Sequence, residues 1–220
     1  MIFNRIEAML KKCETPETIM PPTQLYNEGW MLRLVLDQFD DLGLCIDAHQ
    51  LAVPSGCRWY TEALLPPAFP KRSQKDSRAE SSTHADGVIG HFDIGKCTKA
   101  GLTLKEGATH FVVIEAKMFS GLSKGVKNAD YYNQAARTVA CMAEAVLISA
   151  GRDYEKFKKQ LDQIKTIGFF VIAPKIKIEN LDFKKYLDKQ SVESEDPAHP
   201  TSLLGVVKKR AEEYGPEKGK

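Results

Sequence analysis

The sequence has no apolar run near the roughly 20 residues that a bilayer-crossing helix requires. It has no C-x-x-C pair: its five cysteines, Cys13, Cys45, Cys57, Cys97 and Cys141, are odd in number and scattered. A disulfide framework and a zinc knuckle are therefore not suggested, and reduced thiols are expected. The start, Met1-Ile2-Phe3-Asn4-Arg5, lacks the basic-then-apolar order of a secretory signal, so the expected location is cytoplasmic, with no membrane partner. Strong net charge is missing too, at +2 over 220 residues. The composition is 43% hydrophobic and 27% charged, which fits a folded chain and excludes disorder over most of its length.

The even total hides an uneven distribution: residues 1–70 are net acidic and the remainder net basic. Lys71, Arg72, Lys75 and Arg78 are offset only by Asp76, and no acidic residue separates Lys117, Lys124 and Lys127. Such clusters can meet phosphates, although a solvated surface has the same appearance.

Periodicity organises the rest. Phe3, Ile6, Met9 and Leu10 predict a short helix closed by Pro16, Pro21 and Pro22, and Leu25 to Phe39 predicts a second helix. Trp59 to Leu65 fits a helical turn or a short strand. Lys71 to Thr83 holds almost nothing that could be buried and reads as a mobile loop. From His84 the pattern becomes extended: Val88 to Ile94, Leu102 to Leu104, and His110 to Met118, whose β-branched centre suits a strand buried on both faces. Ser120 to Asn128 reads as a connection. Helices are expected over Ala129–Ala150 and Asp153–Ile164, then a strand over Gly168–Ala173. Beyond it come a helix near Phe183–Leu187, a linker from Gln190 to Ser202 and a last helix over Leu203–Tyr214. The order predicts an α/β (α+β) fold with a central mixed β-sheet flanked by helices on both faces. One domain over 1–220 is expected, its core at about 25–175, with an N-terminal helix in 1–20 and a helical tail in 180–220 as additions.

Chemistry enters where Glu115 and Lys117 interrupt the apolar strand. Two residues apart, they share a face, while Ile114, Ala116 and Met118 point the other way. An ion pair at a strand end would explain them alone. Asp86, in His84-Ala85-Asp86-Gly87-Val88-Ile89, adds a second carboxylate on the preceding strand region. Two carboxylates beside a lysine are what Mg²⁺-assisted phosphodiester hydrolysis requires.

At this point the sequence resembles the PD-(D/E)xK nuclease superfamily, with its restriction-endonuclease-like fold: Asp86, then Glu115-Ala116-Lys117 closing FVVIEAK, then a helix carrying Tyr131-Tyr132-Asn133-Gln134. The resemblance implies a Mg²⁺-dependent nuclease, with Mn²⁺ as a substitute, acting on DNA by metal-activated water; RNA is left open. It implies that Asp86, Glu115 and the Ala116 carbonyl hold the metal and that Lys117 assists the attacking water. Gln134, and Glu28 on the early helix, would be secondary members of the site. Lys71, Arg72, Lys75, Lys124 and Lys127 would hold the backbone, and a homodimer would suit a double-strand cut. Ala85 stands where the motif has proline, and the long separation of Asp86 from Glu115 demands a long hairpin. Asp93 lies closer to Glu115 and is an alternative ligand, but it precedes Gly95 in an expected turn, so Asp86 is preferred.

Plainer accounts stand beside these. Glu28 equally fits a helix-start acid, Gln134 a surface amide, and His84 and His91 ordinary loop or strand histidines. Gly90 to Cys97 matches G-x-x-x-x-G-K but lacks the following Ser or Thr and does not open a helix, so the match is taken as accidental. A non-catalytic nucleic-acid-binding or assembly module on the same fold is the competing reading.

Overall fold

The computed structural model describes residues 28–41, 51–96, 98–117, 129–173 and 203–215, with the isolated helical positions Asn4, Ala8, Lys175 and Ile178. The expected helix at Phe3–Leu10, the 120–128 connection, the 183–187 helix and the 190–202 linker lie outside, or almost wholly outside, the described residues.

The element order is α1 (Glu28–Asp41), β1 (Arg58–Leu65), β2 (Thr83–Gly90), β3 (Phe92–Ile94), β4 (Leu102–Leu104), β5 (His110–Ala116), α2 (Gln134–Ser149), α3 (Tyr154–Gln163), β6 (Thr166–Ile172) and α4 (Leu203–Tyr214). This is a mixed α/β architecture with an open mixed sheet in the order β1-β2-β5-β6 and a separate β3-β4 ribbon. Strands β2 and β5 run antiparallel, from Gly87 opposite Ile114 to Gly90 opposite Phe111. Strands β5 and β6 run parallel, from His110 beside Thr166 to Ala116 beside Ile172. Among the described residues, no helix is long and apolar enough to cross a membrane.

The chain divides into two compact units, each assembled from separated segments. The first takes Met1–Leu64, His84–Ala116 and Val146–Ile172. Its core joins Leu32 and Leu36, one turn apart on α1, to Trp59, Ile89, Val112, Ile114 and Ala116. Alternation on β5 thus gives α1 the even-numbered side chains, as a strand of period two must. Gly87 permits the close approach of α1, because a Cβ there would stand 3.0 Å from Leu32 Cδ2. Helix α3 begins at the Asp153 cap, whose side chain accepts from the Lys156 N–H at 3.0 Å. The buried Gln160 ties it to the turn before β5, accepting from the Gly107 N–H at 2.9 Å and donating to the Ala108 carbonyl at 3.2 Å.

The long separation between Asp86 and Glu115 is filled by the β3-β4 ribbon, paired from Phe92–Leu104 to Ile94–Leu102. Its turn leans on β1, with the Leu64 N–H donating to the Ala100 carbonyl at 2.8 Å. At its base a Cβ on Gly90 would lie 2.2 Å from the His110 carbonyl oxygen, so no larger residue fits. The Gly90–Lys96 stretch contains this strand and opens no helix, which removes the phosphate-loop reading.

The second unit takes Leu65–Thr83, Lys117–Ala145 and Ala173–Lys220. Phe69, Tyr132, Ala136, Ala140 and Val206 form its apolar centre. The segment expected to be a mobile loop is held in place by α4. Arg210, 1% exposed, meets Glu80 at 3.0 Å and donates to the Arg78 carbonyl at 2.6 Å. Arg72 pairs with Asp76 at 2.9 Å, lies 3.7 Å above the Tyr214 ring and donates to the Gly215 carbonyl. Cation–π contact and buried ion pairing replace the apolar contacts that the loop lacks. Helix α2 starts later than its alanine-rich sequence suggests. Asn133 caps it, its Oδ1 accepting from the Ala136 N–H at 2.9 Å, and the preceding residues make a turn.

Candidate functional site

Extending the β2-β5 register by one residue sets Asp86 opposite Glu115. Directly opposed residues in an antiparallel pair point to the same face, so two carboxylates come together at this end of the ladder. The geometry is fixed at one point: Asp86 Oδ2 accepts from the Ala116 N–H at 2.8 Å. Glu115 is 4% exposed, on the face away from the α1 core that takes Ile114 and Ala116, while Asp86 is half-buried.

A third carboxylate, absent from the sequence reading, stands on the neighbouring strand β1. Glu62 is half-buried, and burial pushes its carboxyl above the usual range. The next cause is the charge of Asp86, opposed by Arg33 and His84. Glu62 also has a φ of 59°, the left-handed region that a side chain with a Cβ seldom adopts. Such backbone strain persists where the surroundings impose it, often at working sites. Arg33, buried on α1, donates from Nε to Thr61 Oγ1 at 3.1 Å. Glu62, Asp86 and Glu115 therefore occupy three adjacent strands of one sheet. Glu62 takes one of the less buried positions in the alternation of Arg58–Leu65, and nothing in the sequence ties it to Asp86.

The other expected residues fall as follows. Lys117 comes directly after β5 and is buried, at 9% exposed, and Gln134 is the first residue of α2; both belong to the second unit. Glu28 is the first residue of α1. Asp93 sits on the β3-β4 ribbon, beyond the Gly90 end of β2, where Lys96 holds it at 2.6 Å and Lys105 at 3.6 Å. The Lys96 hydrogen bond is the main reason its carboxyl titrates below the usual range. Of the basic residues, Arg72 is engaged by Asp76, Tyr214 and Gly215, Lys71 and Lys75 are exposed, and Lys124 and Lys127 lie outside the described residues.

Asp86 and Glu115 face each other across one strand pair, and a hard divalent cation binds such carboxylates through oxygen ligands; Glu62, on the next strand, does not join them in a group of three ligand atoms within 4.8 Å. The donor set here, all oxygen, suits Mg²⁺ or Mn²⁺ better than a soft ion. Comparison with protein-family models, with curated proteins and with solved structures returns no match.

Proposed function

We propose that the chain is a metal-dependent phosphodiesterase of restriction-endonuclease-like architecture that hydrolyses nucleic acid, with DNA as the favoured substrate. The observation that carries this reading is the Asp86 carboxylate seated on the Ala116 N–H across from Glu115. In an extended strand a residue's N–H and C=O point to the same edge, so the Ala116 carbonyl is turned toward Asp86 as well. Asp86, Glu115 and that carbonyl would hold Mg²⁺, or Mn²⁺ in its place, with the charge of Glu62 on the next strand acting on Asp86 from outside the donor set. When bound, the cation supplies positive charge against the phosphate oxygens and the leaving oxygen.

The chain's own residues do the rest. Lys117, two residues beyond Glu115, orients the attacking water and accepts or relays its proton as the new P–O bond forms and the ester P–O bond opposite it breaks. Gln134 and Glu28 are assigned supporting roles in holding water or substrate. Lys71 and Lys75, both exposed, and Lys124 and Lys127 meet the phosphate backbone, so binding weakens as salt rises.

The test incubates the full-length protein with plasmid and with single-stranded DNA, in Mg²⁺ or Mn²⁺. Cleavage is expected for the native chain, lost with chelator and reduced about a thousandfold in both Lys117→Ala and Asp86→Asn, as removal of a general acid–base group or a metal ligand commonly does. Asp93→Asn should cleave at the native rate. DNA binding without cleavage would favour the non-catalytic module, and cleavage that survives Lys117→Ala would end the proposal.

A further inference from the structure

At the opposite end of the β2-β5 pair, away from the carboxylates, a different set of side chains converges. Cys57 closes the turn that leads into β1, with its N–H on the Pro54 carbonyl at 2.9 Å. His91 lies between β2 and β3, and His110 is the first residue of β5. One ligand atom from each lies within 4.8 Å of the other two, and all three residues are partly buried. Glu115 is five strand positions beyond His110, about 16 Å at the usual rise, so this cluster is distinct from the carboxylates.

The three residues stand close enough to share a tetrahedral ion once the His91 ring turns. Cys57 Sγ is 3.5 Å from His91 Nδ1 and 3.6 Å from its Nε2. Bonds of about 2.3 Å to sulfur and about 2.0 Å to nitrogen at a tetrahedral angle place the two ligand atoms about 3.5 Å apart and leave the other ring nitrogen about 5 Å from the sulfur, so the His91 ring, which now presents both nitrogens about equally, must turn to bind an ion. The backbone fixes the arrangement. The His91 N–H donates to the His110 carbonyl at 3.3 Å, the His91 carbonyl accepts from the Lys105 N–H at 3.0 Å, and the bare Gly90 lets the two histidine segments approach. Thr109 Oγ1 lies 3.0 Å from His110 Nδ1. With that hydroxyl accepting from Nδ1, the lone pair of His110 is on Nε2, the kind of outer contact that orients a ligating imidazole.

We propose that Cys57, His91 and His110 form a site for a zinc-class transition-metal ion, with water as the fourth ligand, that ties together three segments far apart in the chain. One thiolate and two imidazoles select Zn²⁺ or Co²⁺ over Mg²⁺, so the site is chemically separate from the proposed hydrolytic centre. Without an ion the same atoms make a thiol–imidazole hydrogen bond, which is the competing account.

The test titrates Co²⁺ into the full-length, chelator-treated, reduced protein and follows the thiolate-to-cobalt absorption band in the near ultraviolet. One equivalent should produce the band, Zn²⁺ should abolish it by displacement, and a large excess of Mg²⁺ should leave it. Cys57→Ser should lose the band, His110→Gln should weaken Co²⁺ binding at least tenfold, and Asp86→Asn should bind as the native chain does. Circular dichroism is read on each variant; if Cys57→Ser does not fold, the His110→Gln affinity decides. No band in the native protein, an undiminished band in Cys57→Ser, or native affinity in His110→Gln would each overturn the site.

Discussion

Glu80 and Glu62 are both carboxylates withdrawn from water, and the leading charge beside each has the opposite sign. Glu80 lies between Arg210 at 3.0 Å and Arg137 at 3.6 Å, in alternating charge that closes α4 onto the segment before β2. Glu62 has another carboxylate, Asp86, as its foremost charged influence, with Glu115 one strand further on. Charges of alternating sign offset one another here, although Glu80 Oε2 and Arg137 Nε make no hydrogen bond among the described residues. A charge of the same sign beside a half-buried carboxylate raises its proton affinity, here partly offset by Arg33 and His84. The first arrangement is what fold maintenance requires, whereas the second suits a site prepared for a ligand.

Three measurements break or sharpen that contrast. Arg210→Ala should have the largest effect, a loss of about 3 kcal/mol in denaturant unfolding, because it leaves the withdrawn Glu80 only the more distant Arg137; a loss under about 1 kcal/mol would remove the contrast. Glu62→Gln should act in the other direction, raising cation-free stability by about 0.5 kcal/mol after discounting for solvent screening. The sign follows from its raised carboxyl. The folded state holds the proton more tightly than the unfolded chain, so cation-free stability falls as pH rises through the window above the ordinary glutamate value, and the Gln variant flattens that slope. The smallest effect is expected at Asp76, whose hydrogen bond from Arg72 brings its carboxyl down to about 2. Its contribution is present above the ordinary value of 3.8 and is lost as pH falls through about 2. Amide exchange in residues 71–83 should therefore quicken over that range in the native chain and show little such change in Asp76→Asn.

Much of the scaffold was legible because periodicity and burial agree. Strand β5 is apolar throughout its middle, and the terminal helix has the expected bounds Leu203–Tyr214. Residues 71–83 misled for a physical reason: their anchoring comes from Arg72, Asp76, Glu80 and Arg210, and polarity in sequence does not distinguish a solvated side chain from one paired across more than a hundred residues. Asp86 and Glu115 could be selected as residue types beside apolar runs, but Glu62 could not, because its relation to Asp86 depends on strand order and a left-handed backbone angle. Cys57, His91 and His110 carry no signal in the sequence for the same reason: their spacing follows no local rule, and only the meeting of three chain segments makes them a set.

The β3-β4 ribbon also bears on how the chain assembles. Bonds such as the Gly95 N–H to the Gly101 carbonyl join residues close in sequence, and once they form, the open span between the two long strands shrinks to a few residues at each side. Loop closure costs less entropy when the span is short, so the ribbon should zip early and bring β2 to β5 afterwards. Substitutions at Phe92 or Leu104 are then expected to slow refolding, whereas those at Trp59 should chiefly speed unfolding; stopped-flow chevrons for the two groups would expose the reverse order.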